Sequence, residues 1–220
     1  MSASDQDRGK VRTSKKSAWL FIENEIANEG TIAVETMVKK IVIVPGNGCA
    51  DVLNSNWYGA FASAAKAAFP QYEVVLRNMP DPYVARESVW IPFLKDVVGV
   101  DEDTVVVGHS SGAVCAMRLL ETTKLRGVVL VATCHTDLGD ENEKASGYFD
   151  RVWPWEDIKK NANFITQYHS NDDPLIPVEE ARHVAAQLNG ASHEYIEMEN
   201  HSHFFSMFPE LLENLKKRLL

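Results

Sequence analysis

Residues 104–122, TVVVGHSSGAVCAMRLLET, constrain the fold more than any other stretch of this chain. Thr104 to Val107 is a β-branched apolar run, and Gly108-His109-Ser110-Ser111-Gly112 follows at once. Ala113, Val114, Ala116, Met117, Leu119 and Leu120 then recur at helical spacing. The pattern predicts a strand, a sharp turn and a helix, with Gly-x-Ser-x-Gly on the turn. A turn that tight leaves no room for a side chain at either flank, so both glycines are needed. Ser110 is then held in a strained conformation with its hydroxyl exposed above the sheet. The helix start behind it presents free N–H groups, which favour negative charge. A bare Gly-x-Ser-x-Gly turns up by chance in roughly one chain of this length in ten. The flanking elements and the residues downstream therefore decide whether the turn carries chemistry.

The rest of the chain alternates in a way that suits this turn. Strands are predicted at 41–44, 73–76, 104–107, 125–131, 164–168 and 193–198. Between them lie helical stretches at 57–69, 85–98 (broken or kinked by Pro92), 113–120, 157–161 and 178–188, with a closing helix at 210–219 and a long connection at 133–155. Alternating strands and helices imply a mostly parallel six-stranded sheet covered on both faces, an α/β three-layer sandwich with right-handed crossovers. Ligands on such sheets sit beyond the carboxyl ends of the strands. Residues 1–16 are polar and charged and read as disordered. Trp19, Ile22 and Ile26 suggest a short helix stopped by Gly30, so residues 1–36 read as an extension and 37–220 as the folded domain.

Composition removes several classes of function. A net charge of −9 gives no electrostatic reason to bind nucleic acid or an anionic membrane. No apolar run approaches the ~20 residues a spanning helix needs. Cys49, Cys115 and Cys134 are odd in number and lack metal-ligand spacing, which suits buried thiols in a reducing compartment and a cytoplasmic or nuclear location.

If Ser110 is a nucleophile, it needs a base to take its proton and a carboxylate to orient that base. In the chain order Ser, Asp, His, the acid should follow a late strand and the base the last one. The strand at 164–168 leads into His169-Ser170-Asn171-Asp172-Asp173-Pro174-Leu175-Ile176-Pro177, and the strand at 193–198 into Glu199-Asn200-His201-Ser202-His203-Phe204. Asp173 fits the pattern of Asp, two residues, an aliphatic and Pro, which Asp172 does not. His203, between a small residue and an aromatic, is favoured over His201. The oxyanion hole needs two N–H donors. Ser111 should supply one, and Asn47 or Gly48 of Pro45-Gly46-Asn47-Gly48 the other. This chemistry requires no metal and no organic cofactor.

These motifs are joined by others. Val44-Pro45-Gly46-Asn47-Gly48, Trp57-Tyr58-Gly59, Asn78-Met79-Pro80-Asp81-Pro82, Ala85-Arg86-Glu87-Ser88, Gly108 to Gly112, Asp137-Leu138-Gly139-Asp140-Glu141-Asn142-Glu143 and Ala145-Ser146-Gly147-Tyr148-Phe149 together resemble the retinoblastoma-binding protein 9 family of serine hydrolases. The resemblance runs from about Lys39 to the C-terminus. It implies a minimal α/β-hydrolase fold without the first antiparallel strands, and Ser110, Asp173 and His203 as the triad. The Leu-x-Cys-x-Glu segment behind the family's name is replaced here by Val98-Gly99-Val100-Asp101-Glu102, without the Leu or the Cys, so retinoblastoma-protein binding is not expected.

Tyr148, Phe149, Trp153 and Trp155 lie in the long connection, where they read equally as an apolar substrate wall or as a satellite core. Asp137, Asp140, Glu141 and Glu143 could attract a cationic substrate, and read better as solvated or capping residues. Asp81, Arg86 and Glu87 read as a structural polar cluster. The chain is thus expected to be a soluble serine hydrolase acting on a small ester or amide through an acyl-enzyme. The rival reading, an interaction protein with an unused site, leaves the intact triad positions without a reason.

Overall fold

The computed structural model describes residues 38–190 and 192–220. The readings of residues 1–36 as an extension, and of a helix near Trp19, lie outside the described residues. Six strands form one parallel sheet: β1 (Lys40–Val44), β2 (Glu73–Leu76), β3 (Thr104–His109), β4 (Gly127–Val131), β5 (Ile165–Ser170) and β6 (His193–Met198), in the order β2-β1-β3-β4-β5-β6. The predicted parallel α/β fold is therefore present, with every strand pair parallel.

Alternation along each strand sends side chains to two separate cores. Val42, Val44, Val106, Val128 and Leu130 face one side. There they meet α2 (Glu87–Pro92), α3 (Ser111–Leu119), α5 (Trp155–Lys160) and α6 (Val178–Leu188) through Trp90, Met117, Ile158 and Val184. Ile41, Ile43, Val105, Val107, Val129 and Val131 face the other side, against α1 (Tyr58–Ala68) and α7 (Pro209–Leu219) through Phe61, Leu211 and Leu215, with Phe208 at the N-cap of α7. Every residue of β3 and β4 is buried, as expected of strands covered on both faces.

Two local departures from expectation matter. The helix that begins at Glu87 does not stop at Pro92. It widens into a π-helical segment, Phe93–Val98, closed by Gly99 at φ +69°. Proline has no N–H to donate, and the wider turns absorb the misfit. The long connection is not all loop, because it holds a six-residue helix α4 (Glu141–Ser146). Asp140 caps it, Oδ1 accepting from the N–H groups of Asn142 at 2.8 Å and Glu143 at 3.0 Å.

Topology places the site. From β1 the chain moves outward to β2, then crosses back to β3 and continues the other way. The carboxyl ends of β1 and β3 therefore flank the switch point where such sheets bind ligands. The residues after β1 and β3 are the glycine loop and the serine turn. Among the described residues, no helix is long and apolar enough to cross a membrane.

Candidate active site

Ser110 joins β3 to α3 at φ +54°, ψ −124°. A left-handed conformation of this kind costs a non-glycine residue about 1–3 kcal/mol. It persists because α3 is buried behind it: Ala113, Val114, Met117 and Leu119 are all fully buried. Each larger apolar side chain among them contributes about 1.5–3 kcal/mol. The main chain is pinned as well, with the Ser110 N–H donating to the Val131 carbonyl at 2.9 Å.

The two flanking glycines permit close approach. A Cβ on Gly108 would stand 2.4 Å from the Gly112 carbonyl oxygen, and one on Gly112 would stand 2.3 Å from the Val44 oxygen and 2.4 Å from the Pro45 oxygen. Gly112 thus lets the elbow helix meet the glycine loop. Gly112→Ala is expected to destabilise the fold by about 1–3 kcal/mol, as overpacking does, and to slow any reaction at Ser110. A urea midpoint equal to that of wild type would contradict this.

The side chains of His203 and Asp173 meet. His203 Nδ1 lies 2.8 Å from Asp173 Oδ2, with side chains 5% and 0% exposed. Asp173 Oδ1 accepts from the N–H groups of Leu175 at 2.8 Å and Ile176 at 3.0 Å. Burial alone would raise the Asp173 carboxyl. The hydrogen bond and charge of His203, with these two N–H groups, outweigh it and hold the carboxyl below its ordinary value. The neighbouring Asp172 instead organises the histidine loop. Its Oδ1 accepts from Ser170 Oγ and from the Ser202 N–H, while Ser170 Oγ accepts from the His201 N–H at 3.0 Å. His201 turns away, Nδ1 on the Glu199 carbonyl at 2.8 Å and its ring 5.5 Å from that of Phe204.

Behind the triad positions runs a buried chain that sequence reasoning missed. His109 Nε2 is 2.9 Å from the His203 carbonyl oxygen, which can only accept, so Nε2 carries the proton. Nδ1 then accepts from the Tyr58 hydroxyl at 2.7 Å, and that hydroxyl accepts from the Gly46 N–H at 2.9 Å. Burial, with the His203 ring beside it, pushes the His109 imidazole down to about 3, so it stays neutral. The chain links the glycine loop to the backbone of His203. Only the tertiary fold brings Tyr58 and His109 together. Their spacing in sequence carries no signal.

Ser110 and His203 open into a cavity of about 410 Å³, which Asn47 and Ser111 also line. Its other walls are apolar (Cys134, Leu138, Leu175 and Ile176) and acidic (Asp140 and Glu143). Two sequence expectations are corrected here. The N–H of Gly48 is not free to serve as an oxyanion donor, because it donates to the Pro82 carbonyl at 2.7 Å. The Asn47 N–H makes no hydrogen bond among the described residues. The substrate wall of Tyr148, Phe149, Trp153 and Trp155 is also not formed, since none of the four lines the cavity. The cause is Arg118, on the buried side of α3. It donates to the carbonyls of Tyr148, Arg151 and Val152 and lies 3.5 Å over the Trp153 ring, which ties the loop to the back of the elbow helix. Tyr148 is fully buried there, and Phe149, Trp153 and Trp155 pack against the same core.

The remaining polar residues sort themselves by contact. Arg86 pairs with Asp81 at 2.8 Å, whereas Glu87 pairs with Arg151 at 2.7 Å rather than with either of them. Cys115 and Cys134 are buried free thiols, while Cys49 is half-buried. Among the described residues, no group of three or more His, Cys, Asp or Glu is arranged to hold a metal.

Comparison with known proteins agrees with this architecture. The model of the serine hydrolase family matches residues 41–216. The chain is 44% identical over 181 residues to the serine hydrolase RBBP9 of Rattus norvegicus, across 82% of this chain and 95% of that protein. It is 26% identical over 166 residues to the putative hydrolase YdeN of Bacillus subtilis (strain 168), across 72% of this chain and 83% of that protein. The solved structure of the B. subtilis ydeN gene product superposes with a TM-score of 0.71 at 21% identity, covering 82% of this chain and 98% of that one, a likeness of fold. The resemblance read from the sequence motifs is therefore borne out.

Proposed function

The chain belongs to the serine hydrolase family, and on that premise we propose that it cleaves a small carboxylic ester or amide through an acyl-enzyme on Ser110. One observation carries the reading. A serine held at φ +54° on a strand-to-helix turn shares a cavity with a histidine whose Nδ1 is fixed by a buried carboxylate.

The geometry supports the following roles. With Nδ1–H donating to Asp173, His203 presents an unprotonated Nε2 to take the Ser110 proton. Ser110 Oγ then bonds to the substrate carbonyl carbon, and the carbonyl π electrons move to oxygen. The N–H groups of Ser111 and Asn47 receive that oxyanion. The oxyanion collapses and expels the alcohol or amine, which takes the proton from His203. Water, activated by the same imidazole, attacks the acyl carbon and frees Ser110. Asp173 stays ionised throughout, consistent with its lowered pKa, and stabilises the imidazolium. A cavity of about 410 Å³ suits a small substrate.

Two measurements test this. Rapid quench of the protein with an activated p-nitrophenyl ester should add one acyl group to the peptide that carries Ser110. An acyl group found on a different residue would refute the assignment. The base must be neutral to act, so kcat/KM should rise with pH through a single ionisation and then level. The limb below it belongs to the histidine, because Asp173 is already charged there. A profile flat across roughly pH 5 to 9 would exclude a histidine base.

A further inference from the structure

We propose that Glu143 is a positioning residue, clasping the two halves of the oxyanion hole through one carboxylate oxygen. The inference rests on the hydrolase reading above and extends it to a residue the triad does not include. Glu143 Oε1 accepts from Asn47 Nδ2 at 2.7 Å and from Ser111 Oγ at 3.3 Å. Asn47 follows β1 and Ser111 opens α3. These are the two residues to which the hydrolase reading assigns the oxyanion donors, and they come from segments far apart in sequence. Neither N–H can be tuned by substitution. Backbone contacts set their approximate separation, and the Glu143 carboxylate adds a tie between the two side chains.

The local helix is built for this contact. Asp140 and Glu143 occupy the N-cap and N3 positions of α4, where a glutamate ordinarily turns back to the N-cap N–H. Here the Asp140 N–H is taken by the Asp137 carbonyl at 2.9 Å. Glu143 reaches into the cavity instead, while Asp140 Oδ1 holds its N–H at 3.0 Å and Ser146 Oγ holds its carbonyl at 2.5 Å. Asn142 Nδ2 anchors the helix to the Tyr83 carbonyl at 3.0 Å.

The charges around Glu143 make its role measurable. Burial pushes its carboxyl up, and the Asp140 charge on its own helix adds to this, whereas Ser111, Asn47 and His203 act the other way. Cys134, in the loop after β4, lines the same cavity. Among the described residues, no Lys or Arg pairs with it. An anion at this position stabilises an imidazolium on His203 and opposes an oxyanion at Ser111 and Asn47. A glutamine would keep the acceptor oxygen and remove the charge.

The test uses the full chain and two readouts: the rate of serine labelling by a fluorophosphonate, and kcat and KM for an activated ester. Glu143→Ala should lower the labelling rate and kcat by about 10- to 100-fold, less than the 10²–10³ for loss of a whole oxyanion donor, with KM within about threefold. Glu143→Gln should recover most of that loss. Its acidic pH–rate limb should move to lower pH than that of wild type, because the anion facing His203 is gone. Asn47→Ala removes the same hydrogen bond from the other side, and the double variant Asn47→Ala/Glu143→Ala should be no slower than the worse single one. The proposal is overturned if Glu143→Ala labels at the wild-type rate, if its KM rises with kcat preserved, if Glu143→Gln loses as much as Glu143→Ala, or if the two alanine losses multiply. If Glu143→Ala does not fold, the Asn47→Ala and Glu143→Gln results decide. A folded wild-type protein that resists the probe would instead refute the hydrolase reading itself.

Discussion

A fluorophosphonate probe is expected to label this protein at Ser110, and Ser110→Ala to abolish both the label and turnover. The probe phosphonylates a serine only when a base can take its proton and the hole can hold the charge that develops on the phosphoryl oxygen. It therefore reads the assembled site with no knowledge of the substrate. In a comparable triad, loss of the nucleophile costs about 10⁶ in kcat. Ser111→Ala should still be labelled, slowed at most a few-fold, since Ser111 contributes its N–H and one long hydrogen bond to Glu143. Stability should move differently from activity. Alanine at position 110 keeps the strained φ of +54°, so Ser110→Ala should melt close to wild type. Glycine tolerates that angle, and Ser110→Gly should be as inactive yet more stable by about 1 kcal/mol. Label transferred to Ser111 would keep the enzyme and refute the nucleophile. A Ser110→Gly variant less stable than Ser110→Ala would show that the elbow is not strained.

What could be read in the sequence was whatever depends on neighbours along the chain. The strand, turn and helix around Ser110 declare themselves through a β-branched run, two glycines and helical spacing. The alternation of six such strands with helices leaves little choice but a parallel three-layer sheet. Asp173 and His203 were legible because each follows a late strand in a recognisable local pattern. What could not be read was set by partners from elsewhere. The Gly48 N–H is taken by Pro82, a residue of the β2–α2 connection. The aromatic loop lies behind α3 because Arg118 is buried with its guanidinium on three backbone carbonyls. Glu143 did leave a trace, since Asp140-Glu141-Asn142-Glu143 has capping-box spacing. That spacing marks a helix start and says nothing about a carboxylate that leaves its own helix.

The two carboxylates and two histidines after β5 and β6 should separate cleanly on substitution. His203→Ala is expected to cost about as much as loss of the serine, near 10⁶ in kcat, whereas His201→Ala should keep most activity because its Nδ1 is spent on the Glu199 carbonyl. Asp173→Asn is the more informative change. Two N–H groups, those of Leu175 and Ile176, point at Oδ1, so the amide oxygen of an asparagine must take that place. Its NH₂ then faces His203 Nδ1 where Oδ2 had been, 2.8 Å away. That nitrogen is forced to accept, the ring proton moves to Nε2, and the base can no longer take a proton from Ser110. Loss of about 10⁴ in kcat is expected, as for a triad held in the wrong tautomer. Asp172→Asn keeps an oxygen for the Ser202 N–H and should lose far less. Stability again divides the pair from its chemistry. The folded Asp173 carboxyl lies below its ordinary value, so its contribution is fully present above the ordinary carboxylate range and is lost as pH falls through the folded value. Wild type should therefore lose urea resistance over that acid interval faster than Asp173→Asn, which has no such proton to bind. Parallel acid curves for the two proteins would contradict the lowered carboxyl, and an active Asp173→Asn beside an inactive His201→Ala would transfer the base to the wrong side of the loop.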